Sequence, residues 1–300
     1  MRKLPRRSFL QLAPVAVAAA SCGKDYERVL VLHAGSLSRL VEEITRRFEE
    51  NHPSIRIDSE ASGSLDAIRK VTELGRACDL LLTADHRLLE RFILPHRALR
   101  YWELVGNEMV LAGARNLAWA EGQWRDNWYS NLPGYTFGIS DPARDPAGYF
   151  AHLVWKLAEV HYNRPGLYRT LSGRLDSRWI RPRSSELVAL LEVGVLNFAF
   201  LYLSTAVQHH LRYLRLAPQI SLGDPAYREA YGRVFTPIPS PENPRLQIEI
   251  QGAPIRAGVA LLRPGNGAAA LFLDFLISSE AQELFRELGY TRIPVREVLF

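Results

Sequence analysis

Cysteine is scarce in this chain, which carries two cysteines, Cys22 and Cys78, among its 300 residues. A scaffold held together by several disulfides is therefore excluded, and the core must come from packing alone. CxxC pairs, an HExxH segment and a G-x-S-x-G elbow are also missing, so the sequence contains none of these redox, zinc and serine-hydrolase motifs. The mostly apolar stretch Phe9–Ala20 is shorter than the ~20 residues that a transmembrane helix needs.

Net charge is small once the N-terminal segment is set aside. Residues 1–22 carry four of the 37 basic residues and no acidic residue, which leaves 33 basic against 32 acidic side chains. Nucleic-acid binding requires a clustered basic surface, which this balance does not favour. We therefore expect no nucleic-acid partner.

The first 22 residues have the anatomy of an export signal, with a positive stretch, an apolar stretch and small residues before Cys22. The pair Arg6–Arg7 followed by Ser8–Leu10 resembles a twin-arginine signal. The run Ala19–Cys22 resembles a bacterial lipobox, in which the cysteine is lipidated; a cleaved signal with an incidental Cys22 is the alternative. We predict an exported protein, periplasmic or on the outer face of the cell membrane, that touches the membrane only through this anchor.

Strand-like and helix-like segments alternate from residue 28 to residue 95. Strands are predicted at 28–35, 54–61 and 78–85, and helices at 36–53, 62–76 and 86–95. The third strand holds Cys78, for which we expect a buried free thiol. This order predicts a mainly parallel sheet with helices on both faces.

The rest of the chain continues as an α/β pattern. One strand is predicted over 102–114, further strands over 135–142, 195–204 and 254–262, and helices over 147–162, 183–194 and 268–290. The tryptophans of residues 116–134 predict a packed cover. Length favours two lobes. We predict that residues 28–106 with 222–300 form lobe 1, that residues 107–221 form lobe 2, and that a ligand binds in the cleft between them.

Two serine-rich turns each stand between a strand and a helix. HAGSLS contains Gly35 and Ser36, and EASGSLD contains Ser62, Gly63 and Ser64. Glycine lets the backbone approach a ligand, while hydroxyls and first-turn N–H groups donate hydrogen bonds to an anion. Helix capping by serine is the alternative. The recurrence of the arrangement at equivalent places favours an oxyanion site.

Several segments, in this order along the chain, resemble the tungstate/molybdate-binding proteins of the WtpA/ModA type: HAGSLSRLVEE, EASGSLDAIRKV, ISDPARDPAGY, RSSELVALLEVG and FLYLSTAVQH. That family supplies the extracytoplasmic solute-binding components of ABC importers. The resemblance covers nearly all of residues 29–290 and implies a two-lobed periplasmic-binding-protein fold of type II that closes on one tetrahedral oxyanion. It implies a binding protein and no enzyme, with an ABC permease as partner and tungstate or molybdate as ligand. No resident cofactor is implied, and we expect a monomer.

The resemblance also implies site residues. The oxyanion would be held by donors from the two turns and from lobe 2, namely Gly35, Ser36, Ser62, Ser64, Ala147 through its backbone N–H, and Tyr202. The aspartate of the family's DPxGY-type segment falls on Asp145, and the glutamate of a second-lobe helix falls on Glu186. Both carboxylates would coordinate Mo(VI) or W(VI). Sulfur in sulfate cannot expand its coordination in this way, so the pair would reject sulfate.

Alternatives remain for these residues and for the function. Asp145 precedes a proline and Glu186 lies in a first helical turn, so each could serve its helix terminus alone. A core hydrogen bond would also explain Tyr202. The family's cysteine and arginine in this segment are Ala147 and Phe150 here. The nearest alternative function is the same fold binding sulfate, phosphate or ferric iron; an exported hydrolase would need a histidine beside Ser36 or Ser64.

Overall fold

The computed structural model describes residues 26–119 and 121–300, so the predictions for the leader and for Cys22 lie outside the described residues. Within these ranges the chain forms thirteen strands: β1 (Glu27–Ala34), β2 (Ile55–Ser62), β3 (Leu80–Thr83), β4 (Arg100–Gly106), β5 (Met109–Gly113), β6 (Phe137–Ser140), β7 (Ile180–Arg181), β8 (Phe198–Tyr202), β9 (Arg212–Arg215), β10 (Phe235–Pro239), β11 (Gln247–Gln251), β12 (Arg256–Leu261) and β13 (Arg296–Leu299).

The same ranges contain twelve α-helices: α1 (Ser38–Asn51), α2 (Ser64–Thr72), α3 (Arg87–Phe92), α4 (Glu121–Trp124), α5 (Trp128–Asn131), α6 (Pro146–His161), α7 (Leu167–Arg174), α8 (Ser184–Glu192), α9 (Leu203–Gln208), α10 (Arg228–Tyr231), α11 (Gly267–Leu276) and α12 (Ser279–Glu287). No helix in the described part of the chain is long and apolar enough to cross a membrane.

The larger sheet has six strands in the order β13-β4-β12-β3-β1-β2. Strand β1 runs parallel to β2 and to β3, as the β-α-β pattern predicts. The prediction of a mainly parallel sheet is wrong for the other half, since β12 is antiparallel to both β3 and β4, and β13 is antiparallel to β4. Strand β12 follows the second sheet in the chain and enters the first sheet at the edge where β3 ends, since Gly258 lies opposite Thr83.

Helix α1 shows why the N-terminal half of this sheet was predictable. Its apolar residues Leu40, Val41, Ile44 and Phe48 are all buried, at the spacing of one helical face. Strand β1 is buried from Val31 to Ala34 on both faces, which matches its continuous apolar sequence.

The smaller sheet has five strands in the order β7-β6-β8-β5-β9. Its strand β5 and the first sheet's β4 replace the single strand predicted over 102–114. The apolar run hides this break because both strands are buried. Asn107 fixes the crossing, since its Nδ2 donates to Ser204 Oγ at 2.8 Å and its Oδ1 accepts the Glu108 N–H at 3.0 Å.

We call the six-stranded sheet with α1–α3, α11 and α12 lobe 1, and the five-stranded sheet with α4–α9 lobe 2. Strands β10 and β11 form a separate antiparallel pair. In lobe 2, Trp119 and Trp124 are buried against Phe198, with ring centroids 5.5 and 4.6 Å from its ring. The predicted aromatic cover is therefore a packed part of this lobe.

Candidate functional site

The two serine turns of lobe 1 lie side by side. Strands β1 and β2 are neighbours in parallel register, with Ala34 opposite Ser62, so their carboxyl ends meet at one edge of the sheet. A 3-10 turn, Gly35–Leu37, follows β1, and Gly63 leads into α2. A Cβ atom on Gly35 would lie 3.6 Å from the Ser62 carbonyl oxygen, an ordinary contact distance. The geometry therefore joins the two turns into one surface.

The hydroxyls of these turns retain donor capacity. Ser62 Oγ is buried and has no hydrogen-bond partner among the described residues. Ser64 is fully buried, and its Oγ accepts the Ala84 N–H at 3.0 Å, which leaves its own proton free to be donated. Ser36 is half-buried, and its carbonyl accepts the Tyr290 hydroxyl at 2.8 Å.

Asp145 supplies the carboxylate of lobe 2. It caps α6, and its Oδ1 accepts the Ala147 N–H at 3.1 Å. Its Oδ2 accepts both the N–H and the hydroxyl of Ser184, at 3.2 and 2.7 Å. Burial raises the pKa of Asp145, and the hydrogen bonds from Ser184 and Ala147 oppose that rise. All of these hydrogen bonds come from neutral donors, so this carboxylate has none from a cation.

Tyr202 lies at the end of β8 and is 1 % exposed. Its hydroxyl has no partner among the described residues. Burial, followed by the negative charge of Asp145, raises the pKa of Tyr202 well above that of an ordinary phenol. A neutral phenol that lacks a partner can donate to an anion.

Helix α8 brings Ser184 to the same place. Ser184 is its first residue and is 2 % exposed. The helix packs against the Gly35–Leu37 turn of lobe 1, and its first residue, Ser184, donates to Asp145. Of the residues predicted from sequence, Gly35 and Ser36 lie in this turn and Ser62 and Ser64 lie at the end of β2 and the start of α2. Asp145 and Ala147 lie on the lobe 2 side, where the charge of Asp145 also reaches Tyr202.

Glu186 has a different environment. It lies in the first turn of α8, and its side chain is 36 % exposed. Its Oε1 lies 3.5 Å from Arg183 Nε, a weak contact on the same helix. The nearby Ser184, and not Glu186, contacts the Asp145 carboxylate. The N–H of Ala147 likewise donates to Asp145, so its direction is fixed by the helix cap.

The lobes touch directly beside the site. The Leu65 N–H of lobe 1 donates to the carbonyl of Arg144 in lobe 2 at 3.2 Å. The Arg144 guanidinium lies 2.8 Å from an Asp66 carboxylate oxygen. This arrangement is a closed cleft.

Four side chains in contacts at the cleft were not predicted from the sequence: Ser184, Arg144, Asp85 and Tyr149. The signal for Ser184 is weak, since a serine at the start of a helix is an ordinary cap residue and its contact with Asp145 joins positions 39 apart. Tyr149 stands in the DPAGY segment itself, and its hydroxyl donates to Asp85 at 2.8 Å. His33, the histidine closest in sequence to Ser36, has Nδ1 2.9 Å from the Ala34 carbonyl oxygen.

Comparison with known proteins identifies the family of this chain. The family model of bacterial extracellular solute-binding proteins matches residues 29–291. An uncharacterized solute-binding protein of Petrotoga mobilis is 35% identical, with 88% of this chain and 84% of the relative covered. The molybdate/tungstate-binding protein WtpA of Pyrococcus abyssi is 31% identical, over 93% of this chain and 88% of its own.

Solved structures agree on the fold. The periplasmic molybdate-binding protein of Azotobacter vinelandii superposes with a TM-score of 0.61 at 14% identity, covering 88% of this chain and 99% of that protein. The predicted resemblance and the α/β periplasmic-binding-protein fold are thereby confirmed. The chain belongs to the bacterial extracellular solute-binding protein family.

Proposed function

We propose that the protein captures molybdate or tungstate outside the cytoplasm and delivers it to the permease of an ABC importer. One observation carries the proposal: the buried hydroxyls of Ser62 in lobe 1 and Tyr202 in lobe 2 have no hydrogen-bond partner among the described residues. Leaving such a group unpaired costs about 1–3 kcal/mol, a cost that a bound oxyanion removes. The name of the Pyrococcus abyssi relative supports the choice of ligand.

Neutral donors suit a tetrahedral dianion. Hydroxyls and backbone N–H groups hold the charge by aligned dipoles, and they need no counter-ion. The Ser64 hydroxyl is already oriented by the Ala84 N–H. We propose that Ser36, Ser62, Ser64 and Tyr202 donate to the oxyanion, while Gly35 and Ala147 shape the surrounding turns.

We propose Asp145 as the first carboxylate ligand of the metal centre. Its Oδ1 accepts one hydrogen bond and keeps a lone pair, whereas its Oδ2 accepts two. A carboxylate beside a dianion is repelled unless its oxygen reaches the metal. Glu186 is the proposed second ligand, and its side chain must leave Arg183 to take that role.

Calorimetric titration of the full chain with tungstate, molybdate, sulfate, phosphate and ferric iron tests the proposal. We expect tight binding of the first two ions and none of sulfate. Asp145→Ala should abolish the discrimination of tungstate and molybdate against sulfate. Glu186→Gln should weaken the binding of tungstate but should not allow sulfate to bind. Asp176→Ala is the matched control, because Asp176 caps a short turn and its carboxylate pairs with Arg178.

Other outcomes point to other ligands. Sulfate binding as tight as molybdate binding would indicate a general oxyanion carrier and reduce Asp145 to a helix cap. Phosphate or ferric iron as the tightest ligand would indicate the same fold with another cargo. If Glu186→Gln binds tungstate as tightly as the wild type, Glu186 is not a ligand and Asp145 remains the single proposed carboxylate ligand.

We also propose that the protein is exported, is anchored through a lipid on Cys22, and works as a monomer. Opening and closing of two lobes requires no second subunit. Mass spectrometry of the protein from the membrane fraction tests for the lipid on Cys22. Fractionation of Cys22→Ser is the second test, since this variant should be released into the soluble fraction. Size-exclusion chromatography with light scattering tests the oligomeric state.

A further inference from the structure

One buried hydrogen bond crosses the cleft away from its rim. Tyr149, in the first turns of α6 in lobe 2, is fully buried, and its hydroxyl donates to Asp85 Oδ2 at 2.8 Å. Asp85 is the second residue after β3 of lobe 1 and is 2 % exposed. The bond forms only when the two lobes are together.

Asp85 is held in place without Tyr149. The Arg87 side chain donates to its two carboxylate oxygens at 2.9 and 2.7 Å, and the Arg87 backbone N–H donates at 3.1 Å. Burial opposes the charged form, but the charge and hydrogen bonds of Arg87 lower the pKa of Asp85 below its ordinary value. Lobe 1 therefore presents a fixed carboxylate to lobe 2, and the phenol adds a hydrogen bond to a charged acceptor.

Each of the two residues in this hydrogen bond lies next to a proposed ligand group. On the lobe 1 side, Ala84 precedes Asp85 and its N–H holds the Ser64 hydroxyl. The Thr83 hydroxyl donates to the Asp85 carbonyl at 2.9 Å, which stiffens the same segment. On the lobe 2 side, Tyr149 lies one turn after Asp145 on α6.

We infer that Tyr149 is a positioning residue whose phenol couples closure of the lobes to the placement of Ser64 and Asp145 around the bound anion. Because the ligand is taken to lie between these two groups, the inference rests on the proposed function. The phenol itself need not touch the ligand. Its effect is on the stability of the closed form, from which the bound anion cannot leave until the lobes open.

The test is Tyr149→Phe in the full chain, which removes the hydroxyl and keeps the ring. Dissociation of tungstate, followed by stopped-flow tryptophan fluorescence, should become about tenfold faster, the factor that corresponds to about 1.4 kcal/mol. Association should change by less than about twofold, because affinity changes of this kind fall mainly on dissociation.

Tyr162→Phe is the matched control. The Tyr162 hydroxyl accepts the Trp128 indole N–H at 3.3 Å, a contact wholly within lobe 2. Its loss should lower the melting temperature without altering dissociation. Equal dissociation rates in the two variants would overturn the role assigned to Tyr149 and leave its hydroxyl a structural contact.

A second measurement needs no anion. Spin labels on Glu73→Cys and Arg174→Cys, both exposed and on different lobes, report the distance between lobes in a Cys22→Ser chain. We expect Tyr149→Phe to shift the anion-free distribution toward longer distances and Tyr162→Phe to leave it unchanged. A distribution that Tyr149→Phe does not shift contradicts the inference. Failure of the wild type to bind molybdate or tungstate contradicts the proposed function alone, since the distances still decide the role of Tyr149.

Discussion

The carbonyl oxygen of Arg144 occupies the space that a Cβ atom would take on Gly63. Gly63 belongs to lobe 1 and Arg144 to lobe 2, so this close approach exists only in the closed form. Glycine is needed here for its missing side chain, since its φ of −65° is available to any residue.

Gly63→Ala should therefore prevent full closure. We expect at least ~10-fold weaker tungstate binding, because the binding-competent form becomes less populated. Calorimetry measures the affinity, and small-angle scattering measures the radius of gyration with saturating anion. Gly173→Ala in α7 is the control, since a Cβ there meets nothing within 4 Å. Undiminished binding by Gly63→Ala would mean that the ligand is held without this contact.

Asp145 should make stability depend on pH. Its pKa in the folded protein is raised by burial, so the folded state favours the protonated form more than the unfolded chain does. The resulting stability is present below the ordinary pKa of 3.8 and is lost as pH rises through the folded pKa. In the absence of anion, the melting temperature of Asp145→Asn relative to wild type should be higher at pH 7 than at pH 4. A difference independent of pH would contradict this.

His152 should make the folded protein less stable at low pH, which is opposite to the effect of Asp145. Burial, helped by the charge of Lys156, lowers its pKa from 6.5 to about 4. The unfolded chain therefore binds a proton at higher pH than the folded protein does, and stability falls as pH drops between these values. Between pH 7 and pH 4.5, the free energy of unfolding of the wild type should fall by about 2 kcal/mol more than that of His152→Gln. Urea titrations at the two pH values measure it, and parallel losses in both proteins would refute the prediction.

Cys78 should be inert in the folded protein. Burial raises the pKa of its thiol to about 12, and the thiol donates to the Leu80 carbonyl at 3.0 Å. In a Cys22→Ser chain at pH 8, a chromogenic disulfide reagent should react with Cys78 only after addition of denaturant, because the thiolate is the reactive form. Full labelling within minutes in native buffer would contradict the burial of this side chain.

Local periodicity was enough to predict β1, β2, β3 and α1, where each element buries a face against its sequence neighbours. It was not enough for β4 and β5, because an apolar run does not say at which residue a buried chain changes sheets. The Asn107–Ser204 bond marks that residue, and it joins positions 97 apart in the sequence.

The same distinction between local motifs and distant contacts applies to the candidate site. The serine turns were proposed from their strand–turn–helix motifs, whereas Asp145 was proposed through the resemblance of its DPAGY segment to a known family, and from spacing alone it could equally have been a helix cap. The Tyr149–Asp85 pair joins positions 64 apart, and neither residue signals the other. Ser184 and Glu186 lie within one helical turn, and only the packing of α8 shows that Ser184 contacts Asp145.

The central place of β12 in lobe 1 has a consequence for synthesis. Strands β3 and β4 are made early, but both pair with β12, which ends at Leu261. A ribosome-bound chain shorter than this exposes one edge of β3 and both edges of β4, whose second partner is β13, and such edges recruit other chains. Lobe 1 therefore cannot complete its sheet while lobe 2 is being translated. A chaperone that shields β3 and β4 over that interval would protect the nascent protein from aggregation.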